Sequence, residues 1–184
     1  MICYLVRHGK DDDSVRGGWS ASPLTDEGIL QVNQLANMLV STKSLNIGKL
    51  FSSDLLRAKQ TADILSAALK LPVTELPEFR ETNNGVLAGM DNLIASELYP
   101  GLYWSSLQWD QPYPEGESPR AFYERISNAW YTFKKKHKNQ DCNVMLVTHG
   151  GVINVIQCIE NNTEYTNKTN PYPLGNAEIV SIEI

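Results

Sequence analysis

Two segments of the chain share a pattern that narrows the folds open to it. Met1 to Val6 is a short apolar run rich in β-formers and leads into Arg7-His8-Gly9. Asn143 to Thr148 (NVMLVT) is a second such run and leads into His149-Gly150-Gly151. Each run reads as a buried strand. Each puts a histidine at the strand's C-terminal edge, followed by glycine that lets the chain turn tightly. In open α/β sheets, ligands bind beyond the carboxyl ends of the strands. If the two strands are neighbours, both imidazoles face one crevice.

The rest of the sequence supplies the covering for such a sheet. Thr25 is a helix cap, with Asp26 and Glu27 suited to the first turn, and Ile29, Val32, Leu35, Ala36 and Leu39 recur at helical spacing. Lys49 to Phe51 reads as a short strand. Ser53 and Asp54 open a second helix with Ala58, Ala62, Leu65 and Leu69 on one face. Val73 to Leu76, after Pro72, reads as another strand. Ser118-Pro119 starts a helix whose buried face is Phe122, Ile126, Ala129, Trp130 and Phe133, with Lys134, Lys135, Lys136 and Lys138 at its end. His137, among those lysines, reads as a surface residue. Gly150 to Ile159 reads as a helix, Asn161 to Gly175 as a polar loop and Ala177 to Ile184 as a last strand. Alternating strands and helices predict a three-layer α/β/α sandwich with a mostly parallel central sheet.

Residues 81–117 interrupt this alternation. They show no sustained period and carry Trp104, Trp109, Tyr99, Tyr103 and Tyr113. A long aromatic loop inside a compact domain is a functional element or a small cap. The 184 residues therefore predict one domain, 1–184, with a cap-like insertion at about 82–117. Most of the cap aromatics are expected to pack its small core; one or two facing the site could hold an apolar or ring-shaped leaving group.

Net charge is -5, so nothing global draws the chain to nucleic acid or an anionic membrane, and any bound anion must meet a local positive cluster. Cys3, Cys142 and Cys158 lie in or beside apolar runs with no redox or zinc spacing. They read as buried thiols in a reducing compartment. The N-terminal apolar run is too short for a signal peptide, and no stretch approaches a membrane span. The expectation is a cytoplasmic protein; oligomeric state is not legible.

The local positive cluster has candidates. Arg57 falls in or near the first turn of the second helix, where free N–H groups and the helix dipole already favour anions. Arginine can grip a phosphate bidentately there, although taken alone an arginine at this point reads as a surface ion pair. A metal site is disfavoured, because Arg7 adjoins His8 and no Cys/His cluster completes a shell.

These residues, in this order, resemble those of the histidine phosphatase superfamily, in its phosphoglycerate-mutase-like branch. Arg7-His8-Gly9 is similar to the RHG signature. Pro23-Leu24-Thr25 with Gly28 and Gln31 resembles the PLT helix start. Ser53-Asp54-Leu55-Leu56-Arg57-Ala58-Lys59-Gln60-Thr61-Ala62 resembles the S-D-L-x-R-A-x-Q-T-A helix. Glu81, Gly85 and Gly89, then Gly116-Glu117-Ser118, then Val147-Thr148-His149-Gly150-Gly151 match three further blocks. The tripeptide alone is a weak signal; the ordered set spans nearly the whole chain.

The resemblance implies a phosphomonoesterase that hydrolyses a small phosphorylated metabolite through a phosphohistidine intermediate, with no metal and no cofactor. It makes His8 the nucleophile, Arg7, His8, Arg57 and His149 the phosphate pocket, and Glu81 the proton donor to the leaving group. The alternatives are a phosphoglycerate-type mutase and, on the same scaffold, a non-catalytic protein that binds phosphorylated ligands. Some positions depart from the pattern. Lys10 stands where the family often has Glu or Gln. Gly17 and Ala21 replace a Gln and an Asp, and Leu87-Ala88 replaces a Trp-Glu pair. Asp11, Asp12 and Asp13 read as a solvated loop, with shaping of leaving-group choice or pairing with Arg16 as alternatives. The departures touch substrate contacts and leave the phosphate pocket whole.

Overall fold

The apolar runs pair into one sheet. In the computed structural model, which describes residues 1–42 and 45–184, the strands are β1 (Ile2–Arg7), β2 (Ile47–Ser52), β3 (Val73–Glu75), β4 (Asn143–Thr148) and β5 (Ile179–Glu183). Their order is β3-β2-β4-β1-β5. β1 runs parallel to β4, and β4 and β3 both run parallel to β2; β5 alone is antiparallel, against β1. The mostly parallel sheet is therefore present. Arg7 pairs with Thr148 at the end of the β1–β4 ladder, which sets His8 and His149 at the same height.

Side chains alternate across the sheet and build two cores. Cys3, Leu5, Val144 and Leu146 face α4 (Pro119–His137) and α5 (Gly150–Glu160). Tyr4, Val6, Met145 and Val147 face α1 (Asp26–Ser41) and α2 (Leu56–Leu69). Phe122, Ile126, Trp130 and Phe133 form the buried stripe of α4. Burying each such side chain contributes about 1.5–3 kcal/mol. Ser118 caps α4 by accepting from the Ala121 N–H, and Pro119 occupies the first turn.

Residues 82–117 carry two three-residue 3-10 turns and one short helix, α3 (Asn92–Leu98), capped by Asp91. Leu87, Ala95, Leu107 and Tyr113 give this segment a small buried cluster of its own. The loop after α5 laces it to the body. Asn167 Nδ2 donates to the Trp104 and Leu107 carbonyls at 2.7 and 3.0 Å. Tyr165 is buried and stacks on Tyr123, so this stretch is less polar in effect than its composition suggests.

Five expectations need correction. β2 extends to both sides of Lys49–Phe51, and β3 stops at Glu75. α2 begins at Leu56, because the Ser53 hydroxyl and the Asp54 carboxylate bond to His149 and Arg80 and do not cap the helix. His137 is 3 % exposed: four residues past Phe133, it falls on the apolar stripe and packs against Phe51 and Phe133. Cys142 is half-buried at a strand entrance, while Cys3 and Cys158 are buried. No helix among the described residues is long and apolar enough to cross a membrane.

Candidate active site

The loop leaving β1 is fixed by side chains from two helices, and that fixes His8. Thr61 Oγ1 accepts from the Gly9 N–H at 3.1 Å, Gln31 Oε1 from the Lys10 N–H at 3.0 Å, and Gln60 Oε1 from the Leu24 N–H at 2.7 Å. Thr25 caps α1 through its hydroxyl and also donates to the Lys10 carbonyl. Gly28 is demanded by this packing. A Cβ there would lie 2.1 Å from the Lys10 carbonyl oxygen. The residues of the PLT and QTA blocks thus hold the loop that carries His8.

His8 is 5 % exposed. Its Nδ1 lies 2.7 Å from the Gly9 carbonyl oxygen, and Arg57 Nε donates to its Nε2 at 3.2 Å. The tautomer that satisfies both contacts carries its proton on Nδ1 and a lone pair on Nε2. Burial first, then the Arg57 guanidinium and Arg7, holds the His8 pKa down to about 3. The ring is therefore neutral at physiological pH.

His149 lies beside it, ring centroids 5.1 Å apart, and is fully buried. Ser53 Oγ lies 2.8 Å from its Nε2. Burial and the positive charge of Arg57 push its pKa well below the usual histidine value. Arg57, at the start of α2, is 2 % exposed and donates to the Gly18 carbonyl at 2.8 Å and to Ser20. Arg7 Nη1 donates to the Leu174 carbonyl at 2.6 Å.

Glu81 enters from the edge of the 82–117 segment. Its Oε2 accepts from the Gly151 N–H at 3.0 Å, at the N-terminal turn of α5, and its Oε1 from the Thr82 N–H at 3.1 Å. A Cβ at residue 151 would stand 2.5 Å from Glu81 Oε1, so the second glycine after His149 is the space Glu81 needs. The Glu81 backbone carbonyl accepts from Trp19 Nε1 at 2.6 Å and from Arg125 Nη2 at 3.0 Å.

The structure thus brings together all five residues expected from the sequence. It adds three that sequence reasoning missed. Ser53 holds His149, and Arg125 and Trp19 hold the Glu81 backbone. Ser53 stood inside a recognised block, and Trp19 lies between the departures at Gly17 and Ala21; Arg125 gave no signal, being one charged residue on a helix.

Beside Glu81 and Gly151 opens a cavity of about 500 Å³. Glu81, Thr82 and Gly151 form its inner end, and Arg16, Tyr103, Trp104 and Tyr113 its wall. Trp104 stacks on Tyr113, and the Arg16 guanidinium lies over Tyr103 at 4.4 Å. Arg16 makes no ion pair among the described residues. The acidic loop also departs from expectation. Asp12 caps Ser14 and Asp13 stays exposed, but Asp11 turns inward onto Arg57 and His8 and does not pair with Arg16. No group of three or more His, Cys, Asp or Glu side chains among the described residues is set to hold a metal.

Four buried side-chain polar atoms among the described residues lack a partner: Arg7 Nε, Arg16 Nε, Gln140 Oε1 and His149 Nδ1. Such an atom costs about 1–3 kcal/mol. Two of the four lie in the histidine–arginine cluster and a third lines the adjoining cavity. An anion there would supply an acceptor for the Arg7 Nε donor.

The profile described as Histidine phosphatase superfamily (branch 1) matches residues 3–184. The chain is 34% identical over 157 residues to phosphoglycerate mutase-like protein 4 of Arabidopsis thaliana, covering 81% of this chain and 66% of that protein. It is 35% identical over 159 residues to a metal-independent phosphoserine phosphatase of the same organism, covering 83% and 65%. The matched region thus spans just under two thirds of these relatives. The fold superposes on the alpha-ribazole phosphatase of Shigella flexneri with a TM-score of 0.84 at 24% identity, over 100% of this chain and 91% of that one. It superposes on a mycobacterial glucosyl-3-phosphoglycerate phosphatase in complex with VO3 with a TM-score of 0.80 at 26% identity, over 98% and 91%.

Proposed function

The chain belongs to the histidine phosphatase superfamily, branch 1, and from that premise we propose that it is a metal-independent phosphomonoesterase acting on a small phosphorylated metabolite, with His8 as the nucleophile. The observation that carries this reading is the pair of unpartnered buried nitrogens, Arg7 Nε and His149 Nδ1, beside a neutral imidazole whose Nε2 bears a lone pair.

The chemistry follows from these groups. A phosphoryl oxygen takes over the Arg57 Nε donor and frees His8 Nε2. Nε2 attacks phosphorus, the bond to the ester oxygen breaks, and that oxygen leaves with the electron pair and a proton from the Glu81 carboxyl. Arg7, Arg57 and His149 meet the charge on the non-bridging oxygens as the group moves. Water then attacks phosphorus and gives its proton to Glu81, and the pair in the N–P bond returns to His8. The Glu81 carboxylate is aimed by the Gly151 N–H and its backbone is fixed by Arg125, so one residue can serve both half-reactions.

Residues 82–117 act as the cap, and the 500 Å³ cavity receives the alcohol part. Its stacked aromatics suit a flat or apolar body. Arg16, without an acidic partner, favours an alcohol that carries an acidic group of its own. Free thiols at Cys3, Cys142 and Cys158 suit a reducing compartment, and the cytoplasm is the proposed location. A net charge of -5 gives no general attraction to nucleic acid or anionic membranes.

The test is phosphate release from a panel of phosphorylated metabolites and one aryl phosphate, in chelator, with His8→Ala alongside. Turnover in the wild type that vanishes in the variant is the expected result. Turnover only after priming with a bisphosphate would replace hydrolysis by a mutase reaction. Phosphate binding with no turnover of any ester would leave a binding protein.

A further inference from the structure

Of the three consecutive aspartates, two behave as surface residues and one does not. Asp11 Oδ2 lies 3.4 Å from Arg57 Nε, and Asp11 Oδ1 lies 4.0 Å from His8 Nδ1. Arg57 Nε is the donor that also bonds to His8 Nε2. The carboxylate therefore rests against the guanidinium and the edge of the imidazole, where an incoming anion must come. Its backbone is pinned by a bridge to Leu24, so the inward pose is built into the loop. The side chain is 20 % exposed.

We propose that Asp11 is a specificity-determining carboxylate: it competes with the ligand's phosphoryl group for Arg57 and sets how tightly this pocket holds a dianion. The proposal rests on the reading of Arg7 and Arg57 as an anion pocket. Two guanidiniums beside neutral histidines would otherwise bind any tetrahedral dianion, including released phosphate. An internal carboxylate offsets one of those charges. Product then leaves more readily, and a tight hold is kept for an ester that adds contacts in the cavity.

Four charged or titratable groups face Asp11: Arg57 from α2, Arg7 and His8 from the end of β1, and Asp12 in its own loop. Burial raises the Asp11 pKa above the ordinary carboxylate range and outweighs Arg57 and Arg7, which lower it. An anion in the pocket adds a like charge and raises it further. Anion binding is thus linked to proton uptake at Asp11, and affinity rises as pH falls through its titration. His8, held down to about 3, adds no competing titration in that range.

The experiment is calorimetric titration with sulfate, a tetrahedral dianion that itself stays fully charged from about pH 5 to about pH 8 and needs no turnover. Failure of the enzymatic reading would leave this measurement intact. Asp11→Asn should bind sulfate about tenfold more tightly than wild type near neutral pH. The gap should narrow as pH falls, because the wild-type carboxyl, held above the ordinary carboxylate range by burial, takes up its proton. Asp13→Asn removes the same formal charge two residues away and should shift affinity by less than about twofold. Asp11→Ser, checked for a native melting curve, repeats the test if Asn still bridges to Arg57. Equal or weaker sulfate binding by both Asp11 variants, an equal gain in Asp13→Asn, or a gain that does not change with pH would overturn the proposal. No sulfate binding by any of the proteins would overturn it too, because removing the competitor must expose both arginines.

Discussion

His8 and His149 stand at the ends of neighbouring parallel strands, each buried and each with a ring nitrogen bonded to protein. Tyr103, Trp104 and Tyr113 stand on a segment whose longest element is the seven-residue α3, and Tyr103 is 45 % exposed. The histidine floor is fixed by sheet register and by side chains from two helices. The aromatic wall is fixed by a four-residue cluster and the loop bonds of Asn167. A reacting group must be placed to within a fraction of an ångström, which suits rigid elements. Choice among alcohols needs only a shaped and replaceable surface, which suits a loop.

This contrast can be broken at graded cost. Arg57→Ala strikes the floor hardest, since one guanidinium serves His8, Ser20 and Gly18 and, in the proposed reaction, the phosphoryl group. A loss of about 10²–10³-fold in kcat/KM is expected for every ester alike, read by steady-state kinetics. A loss confined to one substrate would move Arg57 from floor to wall.

Glu81→Gln should divide substrates by leaving group. Hydrolysis of alkyl phosphates, whose alkoxide needs a proton, should fall by about 10²-fold or more in the step that releases the alcohol. A nitrophenyl phosphate, whose leaving group departs unprotonated, should lose far less in that step by rapid-quench measurement. Equal losses would give Glu81 a binding role and no proton to transfer.

Tyr103→Ala acts on the wall only. KM for the preferred metabolite should rise by about tenfold while kcat on a small aryl phosphate stays within about threefold. A matching fall in aryl phosphate turnover would show that wall and floor are coupled.

The smallest effect is on stability. Below about pH 6.5 the unfolded His8 takes up a proton, while folded His8, held down to about 3, does not. His149 is shifted in the same direction. The unfolded state then binds more protons, so the stability carried by His8 is present above about pH 6.5 and is lost as pH falls toward about 3, with His149 acting in the same sense. His8 contributes a slope of roughly 1 kcal/mol per pH unit in that window. His8→Asn should flatten the fall in unfolding free energy between about pH 6.5 and about pH 5 by about that much, read from denaturant titrations; an unchanged slope would mean that His8 is protonated in the fold.

The same contrast explains what could be read from the sequence. Strand–histidine–glycine segments state their geometry locally, because an apolar run, a turn residue and a periodic helix face each act over a few residues. Hence β1, β4, the buried stripe of α4 and the convergence of His8 with His149 were legible. Three features were not. Asp11 turns inward because of a bridge to Leu24 and an arginine that comes from α2. His137 is buried because α4 keeps its apolar stripe one turn past Phe133. Arg125 reaches the Glu81 carbonyl across 44 residues of sequence. Each depends on a contact distant in sequence that no local pattern encodes.

The central claim is that the phosphoryl group passes through His8 and is not attacked directly by water. The stereochemistry at phosphorus tests it without needing the intermediate to accumulate. An ester made chiral at phosphorus with oxygen isotopes and sulfur is hydrolysed in isotopically labelled water, and the configuration of the released thiophosphate is determined. Two successive in-line displacements predict net retention. Inversion would mean a single displacement by water, and His8 would then be a phosphate ligand and no nucleophile.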